Sequence, residues 1–148
     1  MEIVLAKNAG FCFGVKRATQ MAFEAAAEHE QICSLGPLIH SPQVVKELTE
    51  QGIKVVDNVE DIPSGSVIIR SHGVTAEEMS KVQKSSLTVV DATCPFVKKT
   101  QEYAVRLCED GYTIVIVGEM EHPEVQGIVS YSGEAVVHVV ADVHIVRD

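Results

Sequence analysis

The sequence contains no tryptophan, and only three tyrosines and four phenylalanines among 148 residues. Stacking on nucleic-acid bases therefore has little to work with. Positive charge is also scarce: 12 Lys and Arg stand against 21 Asp and Glu, a formal charge of −9. A chain this acidic, with no basic stripe, is a poor binder of phosphate backbones, and nucleic acid is not expected as a partner. No apolar run approaches the ~18 residues of a membrane span, and mean hydropathy is only +0.14. The first residues, MEIVLAKNAG, lack the basic start and long apolar stretch of a secretory signal. These absences lead to the expectation of a cytoplasmic protein with no membrane partner. The cysteines, at 12, 33, 94 and 108, include no CxxC pair. That spacing excludes a zinc ribbon, and a reducing compartment disfavours structural disulfides, so any thiol site must be assembled in space.

What the chain does contain is an alternation of short β-branched runs with amphipathic helical stretches. Strands are expected at Glu2–Leu5, Gln31–Ser34, Ile53–Val56, Ser66–Arg70, Leu87–Val90, Thr113–Val117 and Ala135–Val140. Val15–His29 carries Val15, Ala18, Ala22, Ala25 and Ala26 on one helical face. Ser41-Pro42 starts a second helix with Ser as N-cap and Pro at its first position. Thr75 through Glu78 has the pattern of a capping box, Cys94-Pro95 opens a long helix, and Pro123 opens another. This is the signature of an α/β fold built from small parallel-sheet units. A first unit over residues 1–94 is complete, and a second over 95–148 is incomplete, with two strands only.

In parallel sheets, ligands bind beyond the carboxyl ends of the strands. Five successive loops before helices each deliver one His or Cys: Cys12, His40, His72, Cys94 and His122. Cys12, between Gly10 and Gly14, suits either a small buried hydrophobe or a site thiol. Cys94 sits at a helix start, where the dipole and free N–H groups favour a thiolate. Cys33 in a strand and Cys108 on a helical face read as core packing. His29, His138 and His144 have no loop context and read as structural or solvated. Singly, His40, His72 and His122 could each cap a helix. Together, imidazoles at helix N-termini suit an anionic group, and two thiols suit a soft metal or an iron–sulfur cluster. Glu124, in the first turn after His122, is placed to exchange protons at the same rim. A metal-dependent hydrolase of a phosphorylated small molecule, with the three histidines as ligands, is the competing reading. An inactive truncated scaffold is the third.

Gly10-Phe11-Cys12-Phe13-Gly14-Val15, Ser71-His72-Gly73-Val74, Asp91-Ala92-Thr93-Cys94-Pro95 and His122-Pro123-Glu124-Val125 resemble the 4-hydroxy-3-methylbut-2-enyl diphosphate reductase family of the non-mevalonate isoprenoid route. The resemblance runs in order along the whole sequence. It implies part of a three-unit trefoil arrangement and a 4Fe–4S cluster held by three cysteines. Cys12 and Cys94 match two of those ligands, and the third has no match in this chain. His40, His72 and His122 match residues that bind the substrate's diphosphate, and Glu124 matches the acid that delivers protons. The implied reaction removes an allylic hydroxyl as water, consuming two electrons and two protons, and yields isopentenyl and dimethylallyl diphosphates. An electron donor such as ferredoxin or flavodoxin is implied as partner. Because the third cysteine is lacking, the chain reads as a fragment or a truncated member.

Overall fold

Parallel pairing sets the architecture. The computed structural model describes residues 2–7, 9–133 and 135–142. In chain order the elements are α1 (Phe13–Glu28), β1 (Ile32–Leu35), α2 (Pro42–Glu50), β2 (Lys54–Val56), a 3-10 turn (Val59–Asp61), β3 (Ser66–Ile69), α3 (Ala76–Lys84), β4 (Thr88–Asp91), α4 (Pro95–Glu109), β5 (Ile114–Val117), α5 (Pro123–Tyr131) and β6 (Val137–Val140). Four strands form one sheet in the order β2-β1-β3-β4, and β5 pairs with β6 in a second. Every pairing is parallel, with Ile68 opposite Ser34 and Val90, and Val115 opposite His138. The expectation of an α/β fold with parallel sheets describes this arrangement.

The core follows from the period of two along β3. Ile68 faces one side and joins Ala18, Ala22, Leu38 and Leu48 in a cluster under α1 and α2. Val67 and Ile69 face the other and join Val59, Val74 and Val82 under α3 and the 3-10 turn. Alanines on the buried face of α1 let that helix lie close against the sheet. The expected capping box is formed: Thr75 Oγ1 accepts from the Glu78 N–H at 3.2 Å, and the Thr75 N–H donates to Glu78 Oε2 at 2.7 Å. Ser41 is the N-cap of α2, as expected, but its hydroxyl makes no capping bond and donates instead to Gln43.

One expectation fails. Residues 2–6 hold no strand, and Ile3, Val4 and Leu5 are 81%, 81% and 85% exposed. A strand needs a hydrogen-bonded neighbour, and no described strand pairs with this segment. Asn8 and His144 lie outside the described residues. Among the described residues, no helix is long and apolar enough to cross a membrane.

Candidate functional site

Because all strands run parallel, the loops that leave them toward helices share one edge of each sheet, and these loops are tied to one another by the backbone. The Ser71 N–H donates to the Leu38 carbonyl at 3.1 Å, joining the His72 loop to the His40 loop. The Cys94 N–H donates to the Ser71 carbonyl at 2.8 Å, joining the start of α4 to the same turn. Arg17 of α1 reaches the Thr93 carbonyl at 3.2 Å. The turn carrying His72 is held by the Arg70 side chain, whose Nε donates to the Gly73 carbonyl at 3.0 Å. Gly73 has φ +74, a backbone state that glycine adopts without strain.

These ties bring His40 and His72 together, and α5, packed on α4 and joined to α3 by the Ala76 N–H to Ser130 Oγ bond, brings His122 to them. The His40 and His72 rings lie 4.3 Å apart, and each is 6.2 Å from the ring of His122. His122 is the N-cap of α5, and its Nδ1 accepts from the Glu124 N–H at 3.2 Å. That bond leaves Nε2 of His122 for other partners. Burial first, then the neighbouring His40, Arg70 and His122, pushes the His72 imidazole down to about 4. His72 is thus neutral at physiological pH, with one donor and one acceptor nitrogen.

The two site thiols occupy equivalent places: Cys12 is the N-cap of α1 and Cys94 the N-cap of α4. Neither thiol caps its helix through a side-chain hydrogen bond. A Cβ placed on Gly14 would lie 2.6 Å from Cys94 Sγ, so the glycine leaves room for the thiol where α1 begins. Asp91 sets the turn before Cys94 by accepting from the Thr93 N–H at 3.0 Å and pairing with Lys98. Burial works to raise its carboxyl, but Lys98 and Thr93 together hold it below the usual range. Phe13 and Phe96 border these thiols and are 63% and 70% exposed.

Sulfur donors at two helix N-termini fit an iron–sulfur group, since thiolate is its ligand and the helix ends favour that charge. Among the described residues, no group of three or more His, Cys, Asp or Glu converges to hold a metal ion. The hydrolase reading takes the three histidines as such a group and is not favoured: their rings are close and tilted, yet they form no metal-holding group. Cys33 and Cys108 stand apart from this edge. Cys33 lines a hollow with Gln31, Lys54 and Ser64 at the amino end of the first sheet. Cys108 packs near Gly133, beside Gly111 and Tyr112, at the amino end of β5. Both are half-buried; Cys33 packs against the core cluster under α3, as expected, whereas Cys108 joins neither cluster. Glu124 lines a small cleft between α4 and α5 with Phe96, Thr100 and Ile128. Arg17, Arg70 and Gln101 escape a reading of the sequence, because the partners that give each a role are set by the fold rather than by a motif.

A parallel α/β protein with thiols and histidines gathered at the carboxyl edge is the class these features define. A model of the LytB protein family matches residues 3–148, and the chain belongs to that family. A protein of Syntrophotalea carbinolica named 4-hydroxy-3-methylbut-2-enyl diphosphate reductase is 65% identical over 142 residues, which span 96% of this chain and 51% of that protein. A relative of the same name from Geobacter sulfurreducens is 64% identical over 140 residues, 95% of this chain and 49% of its own length. The solved structure of a reductase of that name, described as the terminal enzyme of the non-mevalonate pathway, superposes with a TM-score of 0.82 at 40% identity, covering 98% of this chain and 53% of its own. The Plasmodium falciparum E-1-hydroxy-2-methyl-but-2-enyl-4-diphosphate reductase gives a TM-score of 0.87 at 28% identity, over 93% and 44%. The chain thus spans about half the length of the curated relatives it matches.

Proposed function

We propose that this chain supplies half of a 4-hydroxy-3-methylbut-2-enyl diphosphate reductase, contributing the diphosphate-binding histidines, two cluster cysteines and the proton-donating acid. The observation that carries this reading is the meeting of His40, His72 and His122 within 6.2 Å at the edge where Cys12 and Cys94 begin their helices. Cys12 and Cys94 would hold a 4Fe–4S cluster, with a third cysteine from a segment that this sequence does not contain. When bound, that group supplies electrons and a Lewis-acid iron for loss of the allylic hydroxyl. The three imidazoles bind the diphosphate, with neutral His72 donating one hydrogen bond without adding charge. Glu124 holds a proton for the departing oxygen. The products are isopentenyl and dimethylallyl diphosphates. The electron donor is a ferredoxin or flavodoxin, and the compartment is the cytoplasm. Residues 1–94 and 95–148 act as the two units, a division supported by the two separate sheets.

The test joins this chain to the complementary half of the Syntrophotalea carbinolica relative, followed by anaerobic reconstitution with iron and sulfide. The expected result is a broad visible charge-transfer absorption and reductive dehydroxylation of the allylic diphosphate. Reconstituted cluster without any turnover, or turnover that survives Cys12→Ser, would overturn the reading.

A further inference from the structure

The long helix α4 carries a polar side chain that none of these roles uses. Gln101 is only 8% exposed, and its Nε2 has no hydrogen-bond partner. That nitrogen lies against two glycines from different elements. A Cβ on Gly73 would stand 3.1 Å from it, and a Cβ on Gly127 would stand 3.2 Å from it. Gly73 directly follows His72, and Gly127 lies on α5, the helix that His122 caps. Thr93 and Val97 crowd the same side of Gly73, so the His72 turn rests on the first turns of α4. The amide therefore fills the space between the two histidine-bearing elements without a bond to either. What it contributes is volume.

We propose that Gln101 is a positioning residue: wedged between Gly73 and Gly127, it sets the separation of His72 and His122 and hence the width of the anion site. The anion part of this inference rests on the diphosphate reading of the three histidines; the spacing part does not. A side chain of equal length does the same work whether or not it is polar, whereas a short one lets the two elements close. Displacing binding groups by about an ångström is enough to cost a well-placed site roughly 10-fold or more.

The experiment uses the 148-residue chain with histidine-labelled NMR and inorganic pyrophosphate as the probe. Gln101→Ala is expected to change the ring-to-ring nuclear Overhauser contact between His72 and His122 and to weaken pyrophosphate binding about 10-fold. Gln101→Met is expected to restore both, and to melt higher than the parent because a buried donor without a partner has been removed. Gly127→Ala, which keeps Gln101 but crowds its amide, is expected to disturb the same contact and serves if Gln101→Ala does not fold. An unchanged ring contact in Gln101→Ala or Gly127→Ala overturns the proposal, as does a methionine variant that behaves like alanine. If the parent binds no pyrophosphate while the ring contact still depends on residue 101, the spacing role stands and the anion reading fails.

Discussion

Strands β3 and β5 are both four residues long, parallel and rich in β-branched side chains, yet they live in different surroundings. Along β3 all four residues are buried, with Val67, Ile68 and Ile69 at 0% exposure. Along β5 only Ile114 is buried, and Val115 and Val117 are 45% and 54% exposed. The cause is neighbours. β3 is flanked by β1 and β4 and covered on both faces, whereas β5 pairs with β6 alone among the described strands. An apolar strand is a core strand only when both edges and both faces are occupied. The same contrast extends to the helices, since both apolar clusters are built from residues preceding Thr93.

The sharpest way to break this comparison is to cut one β-branched side chain in each strand. Ile68→Ala should cost about 2–5 kcal/mol, because it opens a cavity in a closed core. Val115→Ala should stay within ~1 kcal/mol, because its side chain is already partly in water. Urea denaturation of both variants measures the gap, and equal costs would mean that the second sheet is as well packed as the first.

The next effect lies where α1 meets α4. Gly14→Ala puts a methyl where Cys94 Sγ and Cβ already stand at 2.6 and 3.2 Å, and should cost about 1–3 kcal/mol through overpacking. In the joined protein it should also lower iron retention. Cys12→Ser and Cys94→Ser should lose iron almost completely, while Cys33→Ser and Cys108→Ser keep it, since the latter pair sits at the opposite strand ends. Iron analysis after reconstitution reads all five variants.

Acid sharpens the picture further. Unfolding returns His72 from about 4 to its ordinary 6.5, so the unfolded chain takes the proton first as pH falls. Its effect on stability is absent above 6.5 and grows as a loss between 6.5 and 4, with a slope limited to ~1.4 kcal/mol per pH unit for one proton. Asp91, whose carboxyl is held low, adds a separate loss only at more acidic pH. Denaturation midpoints between pH 5 and 6.5 should therefore flatten in His72→Asn and not in Asp91→Asn.

The smallest expected effect concerns the seam between the two regions. The Ala76 N–H at the start of α3 donates to Ser130 Oγ of α5 at 2.9 Å. Ser130→Ala should cost about 0.5–1.5 kcal/mol, the net worth of one hydrogen bond. A larger loss would show that α5 depends on α3 for its place, and with it His122.

Much of this was legible in the residues. The helices begin within about two residues of their expected starts because N-cap chemistry is local: Thr75 with Glu78, and Pro at 42, 95 and 123, mark boundaries without help from the rest of the chain. The strands after residue 30 were equally readable, since their β-branched runs alternate with those helices. Glu2–Leu5 has the same local pattern and forms no strand, because pairing is not a property of a segment. The family was legible for a different reason: four motifs, around Cys12, His72, Cys94 and His122, stand in order along the chain.

What the sequence by itself determined is thus where the helices and the strands after residue 30 fall, and which residues are presented at helix starts. All of these rest on interactions within a few residues. The tertiary structure alone decided that β3 is buried and β5 half-exposed, that His40 and His72 lie 4.3 Å apart, and that Gln101 fills the gap beside Gly73 and Gly127. Burial, ring proximity and close packing are sums over atoms distant in the chain. The Arg17 bond to Thr93 spans 76 positions, and no local pattern contains it.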